Sequence, residues 1–138
     1  MKKQFFALLL LLFCTSAIYA SVEDILKNVE RSARTWLELV DSGEYLESWK
    51  NSSDLLRGNR SESDWIKSIT ATRAPHGSVD ARYIATAAQS KTWPDLPDGE
   101  YIILQFYITL SIKGLAMETV TLSKQSDGTW LVADYSLD

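Results

Sequence analysis

Arg73 and Arg82 flank a Pro75-His76-Gly77 turn, and two guanidinium groups facing one cleft can clamp a carboxylate or phosphate through paired N–H donors. Glu118 and Asp134 fall in segments with strand-like alternation. Either could be an acid held inside a cone-shaped pocket, where burial raises a carboxyl pKa and suits it to proton transfer. Trp49 and Trp65, two of five tryptophans, could wall a sugar- or peptide-binding surface. Each has a structural reading beside it. The arginines can pair with Asp41, Asp80, Glu100 or Glu118 and pin the turn, and Trp36, Trp49 and Trp65 sit at helical core spacing. Trp93, in a loop with Pro94 and Pro97, is the tryptophan expected to be exposed. Trp49, Arg73, Arg82 and Glu118 are thus the candidate ligand-binding residues, and no residue is assigned a catalytic role.

Other chemistries find little support. His76 is the one histidine, and nothing near it in sequence supplies the nucleophile and orienting group of a catalytic triad. Asp95, Asp98 and Glu100 surround Gly99 but lack the alternating acids and distant Glu of a calcium loop, so a Pro-Asp-Gly turn is expected there. One His and one Cys cannot furnish the usual zinc ligands. No metal site and no cofactor are expected.

Lys2 and Lys3 precede the apolar run Phe5–Phe13, and small residues lead to Ala20 before the polar Ser21-Val22-Glu23. This is the pattern of a secretory signal peptide over residues 1–20, cut between Ala20 and Ser21, with Ala17 as the second choice. Cys14 raises lipidation as a rival, but Phe13 stands where a lipoprotein signal has a small residue. Loss of the leader removes Cys14, Lys2 and Lys3 and moves the formal charge from −4 to −6, 12 Lys+Arg against 18 Asp+Glu. An acidic domain without a basic cluster is a poor ligand for nucleic acid or anionic lipid. Membrane contact is expected only through the leader, and localisation is expected to be periplasmic or secreted.

The elements that must position these side chains follow from periodicity. Val22, Ile25, Leu26, Val29, Ala33, Trp36, Leu37 and Val40 recur three and four apart, one helical stripe stopped at Asp41-Ser42-Gly43. A second helix is expected over Glu44–Leu56, and a third begins at a Ser61–Asp64 capping box and ends at Pro75 and Gly77. From Val79 the period shortens to two. Strands are expected over Val79–Ser90, Glu100–Ile112, Leu115–Ser123 and Thr129–Leu137, with tight turns at Lys113-Gly114 and Asp127-Gly128. In the second strand Ile102, Leu104, Phe106, Ile108 and Leu110 make a core face, leaving Tyr101, Ile103, Gln105, Tyr107 and Thr109 as a mixed face that helices need not cover. The whole is a single α+β domain over 21–138, about three helices packed on a curved four-stranded antiparallel sheet. Two copies packing by the uncovered face would make a homodimer.

Several motifs in order carry a resemblance: Trp36, Leu39-Val40-Asp41, Gly43, Tyr45 and Ser48-Trp49; Arg73, Pro75, Gly77 and Arg82; Leu96-Pro97-Asp98-Gly99-Glu100-Tyr101; Glu118-Thr119-Val120-Thr121-Leu122; and Asp127-Gly128 with Trp130. Over Thr35–Tyr135 the chain resembles the exported bacterial domain-of-unknown-function family 4019. That resemblance implies no catalytic residue. The element order is similar to the nuclear-transport-factor-two-like and cystatin-like cones, a group that includes enzymes, binding modules and dimerisation domains. The expected function is a non-enzymatic exported module binding a small ligand or a periplasmic protein; the alternative is a small acid–base enzyme using pocket carboxylates such as Glu118 or Asp134.

Overall fold

A computed structural model describes the backbone of residues 2–138 and the side chains of residues 21–138. The expected leader, with Cys14 and Ala20, lies outside the described side chains, and Ser21 across the expected cut is exposed. Helix α1 (Lys2–Asp41) buries Val29, Ala33, Trp36, Leu37 and Val40. The stripe is shorter than its periodicity suggests, because Val22 and Ile25 remain 44% and 38% exposed.

The expected second helix is two helices, α2 (Tyr45–Lys50) and α3 (Asp54–Asn59). The break is made by tertiary bonding. The Ser53 N–H donates to the Val132 carbonyl at 2.8 Å instead of continuing a helix, while its hydroxyl accepts from the Leu56 N–H and caps α3. Helix α4 (Glu62–Arg73) starts as expected at Ser61, whose Oγ accepts from the Asp64 N–H at 3.2 Å. The box closes differently from the usual form, with the Ser61 hydroxyl donating to the Asp64 carboxylate at 2.8 Å. A 3-10 turn, Ala74–His76, then leads into the sheet.

Strands β1 (Val79–Ser90), β2 (Tyr101–Leu110), β3 (Gly114–Lys124) and β4 (Trp130–Leu137) pair antiparallel in chain order. Ile102, Leu104, Phe106, Ile108 and Leu110 are buried beneath the helices, joined by Val120, Leu122 and Val132. Strand β2 is shorter than expected, since Ser111–Lys113 form the turn. Curvature comes from register shifts in β1, between Val79 and Ala81 and between Ile84 and Thr86, and from another between Thr121 and Leu122. The result is a curved α+β layer fold.

The crossover is fixed by the backbone of the 3-10 turn. The His76 carbonyl accepts from both the Ile112 and Lys113 N–H groups at 3.1 Å, a structural task carried by the backbone. Gly77 has φ +85°, and a Cβ there would sit 2.1 Å from Ser111 Oγ and 2.9 Å from the Ile112 nitrogen. Gly77→Ala should therefore cost about 2–4 kcal/mol in urea unfolding. Gly58→Ala, in α3 with open space around it, should instead gain about 0.5–1 kcal/mol. Equal stability of the two variants would refute this account of the crossover.

Candidate functional site

Four of the residues singled out by charge meet at one point. Arg73 ends α4, Arg82 lies near the start of β1, Glu118 is in mid-β3 and Asp41 closes α1. Arg82 faces both acids: Nη1 and Nη2 donate to Asp41 Oδ2 and Oδ1 at 2.7 and 3.0 Å, and Nε and Nη2 donate to Glu118 Oε2 and Oε1 at 2.7 and 3.2 Å. Arg73 Nη2 donates to Asp41 Oδ1 at 2.7 Å, and its Nη1 donates to the Tyr135 hydroxyl at 3.3 Å. That hydroxyl in turn donates to Glu118 Oε1 at 2.8 Å.

The cluster is charge-balanced, and both Glu118 oxygens are engaged. Glu118 is fully buried, Arg73 is 4% exposed and Tyr135 7%, so such groups persist only when paired and hydrogen-bonded. The two guanidinium groups of the cluster are engaged internally instead of being presented to a ligand, and of their nitrogens Arg73 Nε alone is buried without a partner among the described residues. A general acid or base needs an oxygen facing substrate. Glu118 offers none, and it sits in an ionic cluster instead of an apolar cavity.

Burial works against ionisation of Asp41, but the Arg82 and Arg73 donors outweigh it and hold the carboxyl below its ordinary value. Burial, reinforced by the Glu118 charge, pushes the Tyr135 phenol well above its usual range. The signs give two limits. A depressed Asp41 contributes stability that is present above its unfolded pKa and lost as pH falls through its folded value. A raised Tyr135 contributes stability that is present below its unfolded pKa and lost as pH climbs toward its folded value. The unfolding free energy should hold a plateau between about pH 4 and pH 10. The difference between wild type and Asp41→Asn should shrink only below that range, and Tyr135→Phe should flatten the alkaline arm. A pH-independent difference for Asp41→Asn would refute the assignment.

The other candidate residues lie elsewhere. Trp49 packs against the core and donates its indole N–H to the Arg60 carbonyl at 2.9 Å, taking no hydrogen-bonding part in the cluster. Trp93 is half-buried, correcting the expectation of an exposed ring, because its N–H donates to Asp134 Oδ2 at 2.9 Å. The interior beneath the sheet is filled by Trp36, whose ring centroid lies 5.8 Å from Trp65 and 5.5 Å from Tyr135.

The outer face of the sheet is exposed in part. Tyr107 is 51% exposed, and Ile103, Gln105 and Thr109 are half-buried. Tyr101 is buried and cannot serve that face, since its hydroxyl donates to the Pro97 carbonyl. The register adds residues that sequence alone did not bring to the face. Tyr83, Tyr107 and Met117 form one row across three strands, and Ala81, Thr109 and Leu115 form the next. Tyr83 and Leu115 are 69% and 70% exposed, and neither row carries a charge.

Among the described residues no helix is long and apolar enough to cross a membrane. The family whose model matches residues 32–135 is described as "Protein of unknown function (DUF4019)". A solved structure from Catenulispora acidiphila is similar at 14% identity and a TM-score of 0.47, over 91% of this chain and 94% of that one. No curated protein matches the chain.

Proposed function

Since the chain belongs to the DUF4019 family of proteins of unknown function, whose description names no activity, we propose a reading from its own geometry: an exported, periplasmic or secreted binding module that docks protein on its outer sheet face, with a second copy of the chain as occupant. The observation that carries it is the uncharged double row of Tyr83, Tyr107 and Met117 beside Ala81, Thr109 and Leu115. Exposed apolar surface of this kind marks an interaction site when it is contiguous.

Face-to-face docking is favoured over pairing at the sheet edges. The β4 edge is occupied by the Ser53 N–H bond to Val132, and the register shifts in β1 twist the opposite edge away from flat pairing. A two-fold axis through the rows would set Tyr83 and Tyr107 against their own copies, the isologous arrangement that closes a dimer. Export is supported by the leader pattern at residues 1–20.

Sedimentation velocity of the exported protein tests the reading. Wild type should be dimeric at high micromolar concentration, and the double variant Tyr83→Ser, Tyr107→Ser should be monomeric with an unchanged far-UV circular dichroism spectrum. A wild-type monomer across the whole range would overturn it.

A further inference from the structure

Trp130 is the tryptophan that differs from the rest. Trp36, Trp49, Trp65 and Trp93 each donate the indole N–H to a protein oxygen. Trp130 has no such acceptor among the described residues, although its ring is half-buried. It also lies where three surface depressions meet. One of about 280 Å³ runs over Trp36, Leu39 and Val132. A second of about 380 Å³ is bordered by Ile25, Arg31 and Lys124, and a third of about 340 Å³ by Ile25, Lys91 and Lys124.

The groove follows from the packing of α1 on the β3–β4 hairpin. Ile25, Asn28, Ser32, Thr35 and Leu39 recur three and four apart, a second stripe beside the buried one, and so form one wall. Between Ile25 and Leu39 this wall runs about 21 Å. The groove is amphipathic: Leu39, Leu131 and the Trp130 ring offer apolar surface above the buried Trp36 and Val132, Ser32, Thr35 and Asn51 edge it, and Arg31 and Lys124 flank Trp130. No acid lines the depression that holds those two cations, in a chain whose net charge is −4. Arg31 forms no ion pair among the described residues; its Nη1 donates only to Asn28 Oδ1 at 3.3 Å. Lys124 is held by Glu100 in an exposed pair at 3.3 Å, a contact weak enough to exchange for another anion.

The geometry points to a binding site for a single-chain anionic amphiphile, an acyl chain ending in a carboxylate. The chain lies on Leu39, Leu131 and the Trp130 ring, and the carboxylate lies between Arg31 and Lys124 with the Trp130 N–H as a third donor. The groove sits on the helix side of the sheet, so its occupancy does not depend on docking at the outer face.

Titration calorimetry of the exported protein with dodecanoate, kept below its micelle concentration, tests this. Dodecanoate should bind saturably, one per chain. Dodecanol, which keeps the chain, and acetate, which keeps the charge, should each bind at least about tenfold more weakly. Trp130→Phe and Arg31→Gln should each weaken dodecanoate about three- to tenfold with melting temperature unchanged. Lys50→Gln, an exposed cation of α2 outside the groove, should leave affinity as it is. Absence of saturable binding, equal binding of dodecanol, or an equal loss in Lys50→Gln would overturn the proposal. So would binding of a peptide through its free C-terminal carboxylate where dodecanoate fails, which would assign the groove to a protein tail.

Discussion

Glu118→Ala should destabilise the protein by about 3–5 kcal/mol, because it leaves two buried guanidinium groups facing a single carboxylate. For a domain of this size that is a fall of roughly 10–20 °C in melting temperature. Asp41 cannot absorb both arginines, since its two oxygens already take three N–H donors from Arg73 and Arg82. The loss is one of balance more than of any single bond. A double variant, Arg82→Leu with Glu118→Leu, removes one charge of each sign and keeps the Arg73–Asp41 pair at 2.7 Å. It should recover most of the loss, as apolar replacement of a whole buried pair often does. Guanidinium unfolding of the three proteins decides the matter: a loss below about 1 kcal/mol in Glu118→Ala would show that the cluster is well solvated and incidental to stability.

Trp36→Ala should cost about 3–5 kcal/mol. The indole is 3% exposed and packs between Trp65 and Tyr135, both anchored in separate elements that cannot collapse into the space. Its N–H donates to the Ser48 carbonyl at 2.8 Å and to Ser52 Oγ at 3.0 Å. Those acceptors lose little, because the Ser52 hydroxyl also donates to the Ser48 carbonyl at 2.7 Å. The cost is therefore a cavity and lost apolar contact. Trp36→Phe should cost about 1–2 kcal/mol, keeping most of the ring's packing. Equal losses for the two variants would show that the hydrogen bonds dominate instead.

Local rules brought much of this fold within reach of the sequence. The switch from helical to alternating period at Ser78, the inner face of β2 and the Ser61 cap are each set by residues a few positions apart, so periodicity and capping expose them. What stayed hidden depends on partners far along the chain. The break at Ser53 needs Val132. The outer rows need the pairing of β1 and β3 with β2, which alternation within one strand does not reveal, so Tyr83 and Leu115 are not legible from the β2 pattern alone. For the site, the residue types Arg73, Arg82 and Glu118 were legible, as was their possible pairing with Asp41. Their mutual saturation was not, because it requires Tyr135 to complete the ring. Trp130 stood among the family-like motifs, but its unused N–H is visible only once the other four indoles are seen to have acceptors.

The charged cluster also sets an order of events. Arg82 is 41 residues from Asp41 and 36 from Glu118, and Arg73 is 62 from Tyr135. Closing loops of that length costs chain entropy before any contact repays it, and a half-assembled ring would strand a desolvated charge. The ring is therefore a latch that closes after the helices and the β2–β4 meander have docked. Changes in it should accelerate unfolding while leaving the refolding limb of a chevron nearly unmoved, and a Glu118→Ala chevron displaced on its refolding limb would contradict that order. A chain of this design acquires its resistance to unfolding at the final step, so its folded lifetime is governed by how slowly that latch reopens.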